Sequence, residues 1–196
     1  MEILILIVVL LAIAGYGTML YNRLVRRRNA SENAFHQIDV QLKYRHDLIP
    51  NLVETVKGYA SHERETLNEV IEARNKAEEI RSQAGSAGAS AATMGELGRA
   101  EGELGGALGR LFALSEAYPD LKANENFRDL QETLTSTERK VSSARRAYNN
   151  AVMEYNNTVQ TVPSNMIANM FNFTLATPLE FEDREEIQQA PQVSFS

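Results

Sequence analysis

The 196-residue sequence contains neither cysteine nor tryptophan. The absence of cysteine excludes a disulfide framework and any thiolate metal site. Positive charge is also in short supply, since 20 Lys and Arg face 26 Asp and Glu and leave a formal net charge of −6. An acidic chain repels the phosphate backbone, so we expect no nucleic acid partner.

Catalytic motifs are absent as well. The sequence has no G-x-S-x-G, no P-loop and no H-E-x-x-H motif. A di-iron helical bundle needs Glu-x-x-His pairs on two helices, and none occurs. His36 and His46 fall on the polar side of the first predicted helix, where we expect them to be exposed. We therefore predict a protein that is not an enzyme and has no cofactor and no metal site.

What the sequence does have is an uncharged apolar run, Ile3–Leu20. Its 18 residues would form a helix about 27 Å long, enough to cross a bilayer once. Residues 1–21 are therefore predicted to be a transmembrane anchor. The alternative is a cleaved signal peptide, which usually begins with basic residues. Glu2 stands in that position here, and this favours the uncleaved anchor.

Arginines follow the apolar run directly, and residues 21–60 carry a net charge of +3 within an acidic chain. Such a basic collar suits anionic lipid headgroups. The positive-inside rule then places the following domain in the cytoplasm. The collar consists of Arg23, Arg26, Arg27 and Arg28.

Beyond the collar, apolar residues recur at helical spacing, and no strand-like alternation of useful length is found. The predicted fold class is all-α: a transmembrane helix that continues into an antiparallel bundle of about four long helices. The first helix is expected to pass through Pro50, which falls on its polar side. The predicted divisions are a bundle domain at 22–173, a flexible linker at 85–92 within it, and an extended C-terminal tail at 174–196.

The third predicted helix, at about 93–117, is unusually rich in glycine. Each interior glycine costs about 1 kcal/mol relative to alanine, but a glycine face permits close helix–helix approach. Two interpretations remain open: a face for self-association, or a weak helix that frays or packs within its own bundle. The glycines are Gly95, Gly98, Gly102, Gly105, Gly106 and Gly109.

Several charged residues fall on or beside the apolar stripes of the predicted helices. A buried charge without a partner is very costly, so these groups should either pair between helices or extend to water. The first alternative is an interhelical ion network that fixes helix register. Its candidate members are Arg45, Arg74, Arg145, Glu63, Glu101 and Glu138.

The fourth predicted helix, from Asn124 to about Val162, has a heptad pattern that indicates supercoiled packing. Asn149 and Asn156 lie seven residues apart within it, inside the related segments YNNAVME and YNNTVQT. Asparagine near a helical seam can set register and oligomeric state. Simple exposure of these side chains is the alternative. The heptad positions are Phe127, Leu134, Val141, Tyr148, Tyr155 and Val162.

Long segments resemble the LemA family of bacterial membrane proteins. They include IDVQLKYRHDLIPNLVETVKGYASHE (38–63), EAYPDLKANENFRDLQETLTSTE (116–138) and ARRAYNNAVMEYNNTV (144–159). The resemblance implies a single-pass protein of the bacterial inner membrane with a long-helix bundle. The family has no established enzymatic activity. A related magnetosome protein is implicated in building membrane compartments, and some members are linked with a membrane protease.

Two functions follow as hypotheses. The first is a non-enzymatic, membrane-anchored scaffold that forms homo-oligomers and organises or shapes the membrane. The second is an adaptor or regulator of another membrane protein, such as a membrane protease.

Overall fold

A computed structural model describes residues 1–87 and 90–180 of the chain. Within these ranges the regular structure is entirely α-helical, as the periodicity predicted. The helices are α1 (Glu2–Lys57), α2 (Arg64–Ala87), α3 (Ala91–Ser115), α4 (Pro119–Ala123), α5 (Glu125–Gln160) and α6 (Ser164–Met170).

The longest element, α1, has 56 residues and runs without interruption from the apolar N-terminus into the bundle. It is therefore about 84 Å long. Its first part is apolar and long enough to cross a membrane. Pro50 lies within the helix and is exposed. Its ring therefore faces solvent, and the backbone hydrogen bond that proline cannot donate is absent on the solvent side of the helix.

The four long helices run up and down in antiparallel order. At the end of the bundle far from the apolar segment, the Asn124 side-chain amide donates to the Tyr59 hydroxyl over 2.9 Å. Asn124 also caps α5, because its side-chain oxygen accepts from the Phe127 N–H at 2.9 Å. The return path of α5 brings Tyr155 against Leu24, near the apolar segment. The start of α1 thus meets the end of α5, as an antiparallel pair requires.

The core lies along the axis of this bundle. Its distal part is built from α1, α2, α3 and α5, with Leu52, Leu104 and Phe127 among its fully buried members. Five of the six predicted heptad positions of α5 are buried. The sixth, Val162, lies beyond the helix and is 79% exposed. Its assignment to the heptad was therefore wrong, because α5 ends at Gln160.

The predicted flexible linker at 85–92 was placed too broadly. α2 continues through residue 87 and α3 begins at Ala91. Ser90 caps α3 by accepting from the Thr93 N–H at 3.1 Å. Small residues carry no turn signal as strong as proline, so alanine and serine extend both helices here. Residues 88–89 lie outside the described ranges.

Candidate functional site

A group of charged side chains lies inside the bundle, where α1, α3 and α5 face one another. Arg45 of α1 is 4% exposed and lies 3.0 Å from a carboxylate oxygen of Glu101 on α3. Its other terminal nitrogen is 3.0 Å from Glu138 on α5. Glu101 is buried, whereas the Glu138 carboxylate is about half exposed. The structure thus brings together three of the six predicted network residues and connects three helices through one guanidinium.

His46, next to Arg45 in sequence, is fully buried. Its Nε2 is 2.8 Å from Glu101 Oε1, and its Nδ1 is 2.8 Å from Glu78 Oε2. Each ring nitrogen of His46 therefore contacts a carboxylate oxygen, and the ring links α1 to both α2 and α3. The expectation that His46 is exposed was wrong, because α2 covers the polar side of α1 at this level.

The cluster continues to the surface through α2. Arg81 binds Glu78 at 2.8 Å, and it also pairs with Asp39 of α1. The hydrogen bond from Arg81, with a smaller contribution from His46, lowers the pKa of Glu78 to about 2 against the opposing effect of burial. Glu78 in turn raises the pKa of Arg81. Glu78 therefore stays ionised at any physiological pH.

Basic side chains and carboxylates alternate in this cluster. Each basic side chain lies between two carboxylates, and the cluster runs from Glu138 on α5 to Asp39 on α1. The basic residues are Arg45, His46 and Arg81, and the carboxylates are Asp39, Glu78, Glu101 and Glu138.

The other three predicted network residues lie elsewhere or bind differently. Arg74 donates to the backbone carbonyl of His46 over 3.3 Å. Glu63 accepts a hydrogen bond of 2.8 Å from the Tyr118 hydroxyl and thereby raises the pKa of Tyr118. Arg145 is partly buried on α5, seven residues and about 10 Å of helix rise from Glu138.

The glycines of α3 differ in their surroundings. The helix is regular from Ala91 to Ser115. Gly98 is buried, and a Cβ on Gly105 would lie 3.6 Å from the Arg45 guanidinium. Gly95, Gly102 and Gly109, spaced seven residues apart, have open space where a side chain would be. We call these three residues the open glycine line.

A groove runs beside this line between α3 and α5, with a volume of about 360 Å³. Its α3 wall contains Gly102 and Gly109, and its α5 wall contains Leu134. Arg45 and Glu138 also line the groove. The ion cluster therefore reaches the molecular surface at the place where the two helices leave a gap.

The arginine collar is divided between two roles. Arg27 pairs with Glu154 of α5. Arg28 lies 3.6 Å from Glu32 and 5.5 Å from the centre of the Phe173 ring. Arg23 and Arg26 are exposed, and neither forms an ion pair with another residue of the described ranges. Arg23 and Arg26 therefore point away from the bundle, next to the end of the apolar segment.

Asn149 and Asn156 bind the segment that follows α6. The Asn156 amide donates to the Ala176 carbonyl at 2.8 Å and accepts from the Ala176 N–H at 2.9 Å. Asn149 makes the same pair of bonds with Leu179, at 3.0 and 2.9 Å. Each amide therefore pairs with the backbone as a neighbouring strand would. Neither of the two interpretations of these asparagines, a role in helix register or simple exposure, predicted this pairing with the backbone.

The tyrosine before each asparagine completes the attachment. Tyr148 donates to the Thr177 carbonyl and Tyr155 to the Thr174 carbonyl, both over 2.7 Å. Burial raises the pKa of Tyr148 to about 12, so its hydroxyl remains a donor. Seven helical residues rise about 10 Å, the same distance that three extended residues span. The two Tyr-Asn pairs can therefore hold positions three residues apart in the segment.

Residues 174–180 belong to the predicted extended tail, and they have no regular secondary structure. They lie along α5, and Leu179 is fully buried. The remainder of the predicted tail, 181–196, lies outside the described ranges.

The fold defines a helical-bundle protein whose N-terminal helix is long and apolar enough to cross a membrane. The ion cluster lies within the bundle, and among the described residues no group of His, Asp and Glu is arranged to hold a metal ion. The model of the LemA family matches residues 34–195, and the chain belongs to this family. A search of curated proteins finds no match.

Proposed function

We propose that this chain is a membrane-anchored scaffold whose bundles associate with one another and thereby organise or shape the membrane. It resides in the bacterial inner membrane, with α1 crossing once and the bundle on the cytoplasmic side. The observation that carries self-association is the open glycine line of α3. Open space surrounds the positions where its three side chains would be.

Folding of one chain does not require glycine at these positions. Each glycine in a helix interior costs about 1 kcal/mol relative to alanine, so the three together cost about 3 kcal/mol. Close approach of a helix from a second copy would make use of them. The adjoining groove of about 360 Å³ offers that helix a partly apolar surface.

The unbroken α1 supports a role that includes the membrane. After the apolar run, which ends at Leu20, 37 residues of this helix follow and extend roughly 56 Å into the bundle. Because no loop separates membrane segment from bundle, contacts between bundles also fix the relative positions of their anchors. In a scaffold of this kind, the arrangement of the associated bundles sets the spacing of the anchors in the bilayer.

Full-length protein in detergent and in lipid nanodiscs tests the proposal by its mass in solution. We expect a concentration-dependent oligomer, which a variant with leucine at Gly95, Gly102 and Gly109 should lose while its thermal stability is unchanged or higher. The matched control is Gly85→Leu, since Gly85 is an exposed helical glycine of α2 with the same open surroundings. A wild-type protein that is monomeric at every concentration would contradict self-association.

The adaptor hypothesis predicts a different result. Crosslinking in native membranes would then recover a second membrane protein, and the glycine variants would lose that product while the oligomer stayed unchanged. A reporter fused to the C-terminus that is active only outside the cytoplasm would overturn the proposed orientation.

A further inference from the structure

Residues 155–179 contain no Asp, Glu, Lys or Arg, although 23% of the whole chain is charged. This stretch comprises the end of α5, all of α6 and most of the segment held by the Tyr-Asn pairs. A solvent-exposed turn of a soluble bundle normally carries charges. Their absence over this length needs a physical reason.

The position of α6 explains why this stretch carries no charges. Ile167 packs beside Gly17, whose Cβ would lie 3.9 Å from the Ile167 side chain. Among the first 19 residues, Gly17 alone is partly buried, whereas the others are exposed. It lies three residues, about 4.5 Å of helix rise, inside the apolar run that ends at Leu20. α6 is therefore level with the last turn of the membrane-spanning segment.

The surface that α6 presents at this level is apolar. Met166 and Met170 are four residues apart on one face of the helix and are 67% and 71% exposed. Val162 before the helix and Phe171 after it are exposed as well. The opposite face is covered by the bundle, since Ala168 is fully buried. A short amphipathic element thus has its apolar side turned away from the protein.

An aromatic group fixes α6 at this depth. Tyr21 packs against Phe171 and Phe173, with ring centres 4.8 and 5.8 Å apart. Arg28 lies over the Phe173 ring. Aromatic rings beside arginine, at the end of an apolar helix, form the arrangement found where acyl chains meet headgroups.

We infer that α6 with its flanking residues, 162–171, is a second membrane contact that inserts into the interfacial layer beside α1. Packing of α6 against Gly17 together with its uncharged, exposed apolar face leads to this assignment. The inference rests on the proposed anchor, because α1 brings α6 to the bilayer. Interfacial elements of this type bury their apolar face about 5–10 Å deep. The bundle is then attached to the membrane at two points, so it cannot swivel about α1.

The absence of tryptophan from the sequence makes a direct test possible. A single tryptophan is introduced into full-length protein, which is reconstituted in vesicles of phosphatidylcholine and phosphatidylglycerol containing brominated lipid. Met170→Trp and Met166→Trp probe α6, and Leu10→Trp probes the anchor. Val40→Trp is the control, since Val40 is an exposed apolar residue of α1 about 30 Å beyond Leu20.

We expect bromine near the headgroup to quench both α6 tryptophans several-fold more than Trp at position 40, and bromine deep in the tails to quench Trp at position 10 best. Quenching at position 10 without quenching at 166 and 170 would refute the inference and leave the anchor standing. A blue-shifted but unquenched emission at 170 would mean that protein covers α6, which also refutes it. No quenching at position 10 would overturn the anchor itself.

Discussion

Replacement of Arg45 by methionine tests whether the buried ion cluster holds the bundle together. Methionine retains the length and apolar character of the side chain and removes the charge. Glu101, whose carboxylate is fully buried, then loses its guanidinium partner at 3.0 Å. Removal of one member of a buried ion pair costs about 3–5 kcal/mol. In Arg45→Met the buried Glu101 carboxylate keeps only its contact with His46 at 2.8 Å.

The matched control is Arg110→Met. Arg110 pairs with Glu69 at the same distance of 3.0 Å, but its side chain is 61% exposed. An exposed pair contributes about 0–1 kcal/mol. The two substitutions are chemically identical, so their difference isolates the effect of burial.

The assay is thermal and urea unfolding of full-length protein in detergent, followed by far-UV circular dichroism. For a domain of this size 1 kcal/mol shifts the midpoint by about 2–4 °C, so Arg45→Met should lower Tm by about 6–20 °C. The double variant Arg45→Met with Glu101→Gln should be less destabilised than the sum of the two single changes. If Arg45→Met unfolds within about 1 kcal/mol of Arg110→Met, the reasoning is refuted.

Two further predictions concern pH and hydrogen bonding. The folded pKa of Glu78, about 2, lies below its ordinary value of 4.5, so the unfolded chain binds this proton first as pH falls. The stabilisation of the folded state by ionised Glu78 should be complete above about pH 4.5 and should disappear as the pH approaches 2. Unfolding experiments across this range should show no such pH-dependent contribution in the Glu78→Gln variant. Asn156→Ala should speed hydrogen exchange of the Ala176 amide by roughly 5- to 150-fold, since loss of the partner of a buried polar group costs about 1–3 kcal/mol. Unchanged exchange would show that the amide does not depend on Asn156.

Much of the architecture could be predicted from periodicity. The apolar run, the passage of α1 through Pro50 and the cap at Asn124 are local features, and the structure has all three. Helix ends were off by a few residues where the signal was weakest, as at 85–92. Alanine, glycine and serine there neither demand nor forbid a helix.

The candidate site was only partly predictable. Arg45 and Glu101 were noticed because each interrupts an apolar stripe. His46 was assigned to the surface because a single stripe implies a single buried face. α1 is instead packed by α5 on one side and by α2 on another, so part of its polar face is interior. That burial depends on residues of α2 such as Glu78, 32 positions away, and no local pattern encodes it.

The sequence by itself determined that this chain is helical, has an apolar N-terminus and carries charges within its core stripes, because these depend on neighbouring residues along one helix. Only the tertiary structure decided which charges meet, which glycines stay open and what the repeated Tyr-Asn pairs bind. Ion pairs and bidentate amide bonds require atoms within about 3 Å, and for these groups only the packing of distant segments brings them that close.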